Sequence, residues 1–446
     1  MSKQTSNRGI QPVSQHEDIV LANPISRRDV LRGASATLGA VAAGVVLTAC
    51  SKPAEQAASP AVGGITPDVL PKRFSQEEMT RRFGVVRAAM KEAGFDGLLL
   101  SSRPDGNGDI GYLTGYPAQY AVFAMDGKAL VIGGEGEIEL YDGVEKREPE
   151  GGLHSNGINA AIKELGLARG RIGVGYLQDL VRLPEGGFTY TTLDRVKRSN
   201  PGAKLDSAAE MLLMAKLPRS AEEIAVLEQA HAISEMGLAT LMKTARPDSL
   251  HSKSWLAVYQ TMVGASNEFP TRLSLRSGKE GNTGGQPFNE KMLAGTICNQ
   301  EISASVLGYG SQVNQSFLIG GPAPADWQSA GQYCIELFDK LGAYIKPGVR
   351  VMEASDFYEK EVLKRGDIFR GVVFHSGGNN DGPRWGPGRS EAVNAVFQEG
   401  MVFTIKPRIP IKGVAAPAAQ FGDGVVVTAT GTRRLGKRKL ELVTVS

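Results

Sequence analysis

His375 has the clearest opening for chemistry in this chain. It closes an apolar run, Gly371 to Phe374, just before a glycine-rich turn, Ser376-Gly377-Gly378-Asn379-Asn380-Asp381-Gly382-Pro383. Imidazole titrates near neutrality and can take or give a proton there. A histidine held by hydrogen bonds in a filled cavity has the same local signature, and both readings stay open. His231 falls inside a helical pattern and His251 near a helix start, positions that suit structural roles. Cys298 and Cys334 stand in neither a CxxC nor a zinc-type spacing and are expected as buried thiols.

Cys50 points to a different chemistry. Leu47-Thr48-Ala49-Cys50 resembles a bacterial lipobox, in which the cysteine is acylated and becomes the mature N-terminus. Upstream, Ser26-Arg27-Arg28-Asp29-Val30-Leu31 resembles a twin-arginine export signal. The uncharged stretch between them, Ala34 to Ala49, is too short and too weakly apolar to span a bilayer. Residues 1–50 are therefore expected to be an export leader, and the mature protein a periplasmic lipoprotein that meets the membrane only through its anchor. Residues 51–72 are rich in Ala, Pro, Ser and Gly and read as a flexible tether.

The elements that must position these residues follow from patterning. With 446 residues the chain has room for two sizeable cores, and 41% hydrophobic and 22% charged residues fit a soluble globular protein. No basic stripe with interleaved aromatics is present, so nucleic acid is not an expected partner. Ser75-Gln76-Glu77-Glu78 predicts a capping box, followed by Met79, Phe83, Val86 and Met90 at helical spacing and a stop at Gly94. Gly97 to Ser101 is an apolar strand. Tyr120–Met125 and Ala129–Ile132 read as a hairpin about Asp126-Gly127.

A second capping box, Ser220-Ala221-Glu222-Glu223, opens a long helix through Ile224, Leu227 and Ile233, and another helix spans roughly Ser252 to Val263. Strands are predicted over Ile297–Val306, Ser311–Ile319, Val372–His375, Met401–Ile405 and Gly424–Thr428, with helices over Trp327–Leu341 and Met352–Arg365. The pattern gives an α/β domain over 73–214 and a second domain over 215–446, together an α+β chain.

At Gly111-Tyr112-Leu113-Thr114-Gly115-Tyr116, the junction Ala215-Lys216-Leu217-Pro218-Arg219-Ser220-Ala221-Glu222-Glu223-Ile224, Gly308-Tyr309-Gly310-Ser311, Phe317-Leu318-Ile319-Gly320 and Gly400-Met401-Val402-Phe403-Thr404-Ile405, the chain resembles the creatinase, prolidase and aminopeptidase P family. The resemblance runs from Arg73 to the C-terminus. It implies a creatinase-like N-terminal domain, a pita-bread C-terminal domain and a homodimer.

Peptidases of that family hold two divalent metals with two Asp, one His and two Glu, because clustered carboxylates need cations between them. The resemblance puts the first Asp on Glu301, the second on Gln312, the His on His375, the first Glu on Lys406 and the last Glu on Gly422, beside Asp423. A second family His has no counterpart in 376–383. A third, the acid/base of creatinase, falls near Gly284 in Gly284-Gly285-Gln286-Pro287. A lysine in such a ligand set repels dications, so no metal or other cofactor is expected.

The catalytic candidates are therefore His375, Glu301 and Lys406. Tyr309, Gln312, Arg384, Trp385, Asp423 and Arg103 are expected to contact substrate, Arg103 by reaching a partner subunit's site. Three functions stand at this point. The first is metal-independent hydrolase or lyase-type chemistry on a small polar molecule or short peptide. The others are an inactive pseudopeptidase acting as a periplasmic binding protein and a divergent metal-dependent Xaa-Pro peptidase.

Overall fold

The computed structural model describes residues 65–102, 108–134, 136, 138–177, 187–277, 287–367, 373–378, 382–386, 394–414 and 418–446. Cys50, the expected export leader, Arg103 and Gly284 to Gln286 lie outside them. Among the described residues, no helix is long and apolar enough to cross a membrane. The end of the expected tether is already structured: Ile65 and Leu70 pack against the core, with a 3-10 turn at Pro67–Val69 between them. Their apolar side chains explain why packing begins before residue 72.

The first sheet has strands β1 (Gly97–Ser101), β2 (Tyr120–Ala124), β3 (Ala129–Ile132), β4 (Val144–Arg147), β5 (Arg171–Val174) and β6 (Lys204–Ser207), in the order β4-β3-β2-β1-β5-β6. Helices α1 (Gln76–Ala93), α2 (Gly108–Thr114), α3 (His154–Glu164), α4 (Tyr190–Ser199) and α5 (Ala209–Ala215) accompany it. The predicted hairpin is present, with Phe123 opposite Ala129. On α1, Met79, Phe83, Val86 and Met90 are buried, and Gly94 ends the helix at φ +71°, a conformation that favours glycine.

The two predicted capping boxes differ. Ser220 and Glu223 exchange both hydrogen bonds, each 3.0 Å. Ser75 accepts from the Glu78 amide at 3.1 Å, but the Glu78 carboxylate turns to Arg81 and Arg82. The Ser75 amide donates instead to Glu222, 2.7 Å away on the next long helix. A stronger charged partner has replaced the local one.

The second sheet holds β7 (Arg272–Arg276), β8 (Thr296–Val306), β9 (Tyr309–Gln315), β10 (Phe317–Ile319), β11 (Phe374–Ser376), β12 (Arg384–Trp385), β13 (Val402–Ile405), β14 (Arg408–Ile409), β15 (Ala419–Thr428), β16 (Gly431–Arg434) and β17 (Val443–Val445). Its main path is β12-β11-β13-β15-β9-β8-β10-β17, with β7 paired to β8, and β14 and β16 paired to β15. Helices α6 (Ala221–Thr244) and α7 (His251–Ser266) lie against β8 and β9, while α8 (Trp327–Tyr344) and α9 (Val351–Lys364) cover the β13 to β15 region. The run predicted as one strand over Ser311–Ile319 breaks at Ser316. Its amide turns to the Gln420 carbonyl, and the chain then pairs Phe317 with Cys298.

Candidate functional site

Strand registers decide which side chains meet. Ser303 lies opposite Gln312 and Ser274 opposite Glu301, so Glu301, Gln312 and Ser274 share one face of the sheet. His375 lies opposite both Thr404 and Arg384, and Arg408 opposite Gln420. Lys406 follows Thr404 by two residues. These strands bring Glu301, Gln312, His375 and Lys406 into one nearly enclosed cluster.

Hydrogen bonds connect the four. Lys406 Nζ donates to Glu301 Oε1 at 3.0 Å and to Gln312 Oε1 at 3.1 Å. His375 Nε2 lies 3.3 Å from the same Gln312 oxygen, and His375 Nδ1 lies 3.0 Å from the Ser376 carbonyl. An ammonium only donates, so it holds the Gln312 oxygen toward itself and leaves both imidazole nitrogens facing oxygen acceptors. Arg408 donates to Glu301 Oε1 at 3.1 Å, and Arg272 donates to Oε2 at 3.1 Å.

The charges are strongly perturbed. Burial lowers the Lys406 pKa to about 8, against the pull of Glu301 and with help from Arg408. Burial alone would raise the Glu301 carboxyl, but Lys406, Arg408 and Arg272 hold it well below the usual range. Gly422 closes the cluster. A Cβ there would stand 2.8 Å from Asn314 Oδ1, the Ile405 carbonyl oxygen and Lys406 Cβ.

Three sequence candidates belong elsewhere. Tyr309 is buried, and its hydroxyl donates to Glu223 at 2.8 Å, away from the His375 cluster. Trp385 lies opposite Phe374, one step out of phase with the His375–Arg384 pair, and stacks on Phe374 in the core. Asp423 is fully enclosed, with His231 against Oδ1 and with Arg434 Nε at 2.8 Å and Arg438 at 3.1 Å from Oδ2. Arg384 stays with the cluster by register.

His231, Glu235 and Asp423 form the one group of three potential ligands among the described residues. Arginines already take up its carboxylates, and His231 Nδ1 reaches Ser311 Oγ at 2.7 Å. Cys298 and Cys334 are free and buried as expected, and burial pushes both thiols up to about 12.

Sequence reasoning passed over Arg272, Arg276 and Arg408. The signal was available in Arg272-Leu273-Ser274-Leu275-Arg276, whose period-two alternation sets polar residues on one face and leucines on the other.

Comparison with known proteins bears on the fold that carries this cluster. Residues 225–429 match metallopeptidase family M24. That stretch is a little under half of the chain, and the fold is the pita-bread fold of the solved structures below. The chain is similar to the uncharacterized peptidase YqhT of Bacillus subtilis, 25% identical over 373 residues, covering 80% of this chain and 98% of that protein. A creatinase of Bacillus sp. is 22% identical over 397 residues, covering 82% and 92%. Among solved structures, dipeptidase PepE from Mycobacterium ulcerans superposes with a TM-score of 0.66 at 20% identity, covering 84% and 99%. The Xaa-Pro dipeptidase from Bacillus anthracis does so with a TM-score of 0.66 at 18% identity, covering 82% and 99%.

Proposed function

We propose that this M24-like chain works without a dinuclear metal centre and carries out hydrolase or lyase-type chemistry on a small polar substrate. The observation that carries the reading is Lys406, whose ammonium lies within 3.1 Å of both Glu301 and Gln312. Glu301, Gln312, His375, Lys406 and Gly422 are the five positions at which the family resemblance expects metal ligands. Two divalent ions do not fit this set. An ammonium stands among the donors and repels cations, Gln312 is uncharged, and Gly422 has no room for a side chain.

On this reading His375 is the proton donor and acceptor. Lys406, lowered to about 8, sits close enough to physiological pH to exchange a proton or to polarise a substrate carbonyl. Glu301 holds the lysine in place. Elemental analysis of the purified protein is expected to give far less than one Mn, Co, Zn or Fe per chain. Two tightly held ions together with Xaa-Pro cleavage would sink the proposal in favour of a metallopeptidase. Once a turnover assay exists, His375→Ala should lower kcat by about 10²- to 10⁴-fold. Unchanged turnover would remove His375 from the mechanism.

We also infer, from the leader and lipobox residues alone, that the protein is exported and lipid-anchored at Cys50. Its mature N-terminus should then be an acylated cysteine by mass spectrometry, and Cys50→Ala should release it from membranes. An unmodified N-terminus upstream of Cys50 would refute this.

A further inference from the structure

We propose that Arg276, flanked by Arg272, Arg408 and Ser274, binds the oxyanion of a small molecule, a carboxylate or a phosphate, attached to an apolar or aromatic body. The inference rests on the metal-free reading above and adds a substrate class to it.

The charges around Glu301 do not balance. Lys406 and Arg408 both converge on Oε1, and Arg272 takes Oε2. That one carboxylate is fully engaged. Arg276 lies on the same face, two residues beyond Ser274 on β7 and opposite Asn299. Its Nε is enclosed without a hydrogen-bond partner, and Arg276 has no ion pair among the described residues. Burial, with Arg408 and Arg272 nearby, holds its guanidinium below the usual arginine range against the more distant pull of Glu301, with which it makes no ion pair.

A guanidinium does not relieve such a position by losing its proton at physiological pH, so it calls for an anion. Ser274, level with Glu301, is fully buried and its hydroxyl is also without a partner. An unpartnered hydroxyl and an unpartnered guanidinium Nε two residues apart on one face of β7 offer donors that an incoming oxyanion can accept from.

The approach runs past Arg272, whose side chain is 46% exposed. Arg272 also lines a groove of about 330 Å³ with Trp255, Tyr259 and Phe269. That volume lies at the small end of ligand sites. Trp255 and Tyr259 stack at 5.2 Å, and Phe269 is largely exposed at the end of the same aromatic row. Arg272, which pairs with Glu301, thus also borders the aromatic groove, and an anionic head on an apolar body suits both surfaces.

The test is calorimetric titration of the full-length protein with 3-phenylpropionate, phenyl phosphate, inorganic phosphate and neutral 3-phenylpropionamide, with metal content measured on the same preparation. The phenyl carboxylate or the phenyl phosphate should bind, and the amide should bind at least about 10-fold more weakly. Whichever anion binds more tightly names the head group. Arg276→Gln should weaken binding about 10- to 100-fold and Arg276→Lys less, while thermal melts report that both variants are folded.

Equal binding of the amide, no binding of either anion at millimolar concentration, or unchanged affinity in Arg276→Gln would each overturn the site. Tighter binding of inorganic phosphate than of phenyl phosphate would overturn the assigned apolar body. If these failures occur in metal-free protein, they leave the metal-free reading standing. Stoichiometric metal in the preparation would strike that reading instead.

Discussion

Replacing Glu223 with alanine is expected to remove about 3–5 kcal/mol of stability, the scale for taking one partner from a buried ion pair. Glu223 is fully enclosed where α1, α6 and β9 meet. Its Oε1 accepts from Arg219 at 3.0 Å and from the Tyr309 hydroxyl at 2.8 Å. Its Oε2 accepts from Arg81 at 2.7 Å and from the Ser220 amide at 3.0 Å. Arg82 lies 3.9 Å from Oε1.

The alanine variant loses the carboxylate half of the α6 capping box, while the amide of residue 223 can still donate to Ser220 Oγ, and it leaves Arg219 and Arg82 in the interior with less negative charge nearby. Glu78 still serves Arg81 and Arg82, so Arg219 carries most of the penalty. Total stability of a domain is about 5–15 kcal/mol, so the loss should show as a large fall in the urea midpoint. Tyr309→Phe deletes one hydrogen bond and should cost only about 1–3 kcal/mol, mostly through the acceptor left behind. A Glu223→Ala midpoint within error of wild type would mean that this buried network contributes nothing to folding.

Much of the architecture was readable from periodicity. The helical spacing of Met79, Phe83, Val86 and Met90, the Ser220–Glu223 box and the hairpin at Asp126-Gly127 are local signals, and local hydrogen bonds satisfy them. The Ser75–Glu78 box was only half readable, because its outcome depended on Glu222, far away in sequence. The cluster of Glu301, Gln312, His375 and Lys406 was readable through resemblance, since strand order carries distant residues to one place.

The misplaced candidates share one cause. Tyr309 is three residues from Gln312, Trp385 is next to Arg384, and Asp423 is next to Gly422. On a strand an odd offset points a side chain to the other face. Nearness in sequence therefore counted against these residues, and the same parity rule would have admitted Arg272 and Arg276. The Arg276 environment was not readable at all, because it depends on how the Glu301 carboxylate is shared among three cations.

Asp423 gives the sharpest separation of scaffold from site. Asp423→Ala is expected to cost about 3–5 kcal/mol, because Arg438 and His231 are buried and Arg434 is two-thirds buried, and all three lose the carboxylate between them. Burial raises the Asp423 pKa, but His231, Arg438 and Arg434 outweigh it and leave the group well below the ordinary aspartate range. The sign of the pH dependence follows. The unfolded carboxyl titrates at about 3.9, so the contribution is complete above that pH and is lost as pH falls toward the lower folded value. The deficit of Asp423→Ala relative to wild type should therefore be widest near neutrality and narrow on acidification. Chemical denaturation at pH 7 and pH 3 measures both. Under conditions where the variant stays folded, its affinity for the phenyl carboxylate or phosphate should match wild type, since Asp423 points away from the Lys406 cluster. Lost affinity with unchanged stability would move Asp423 back into the site.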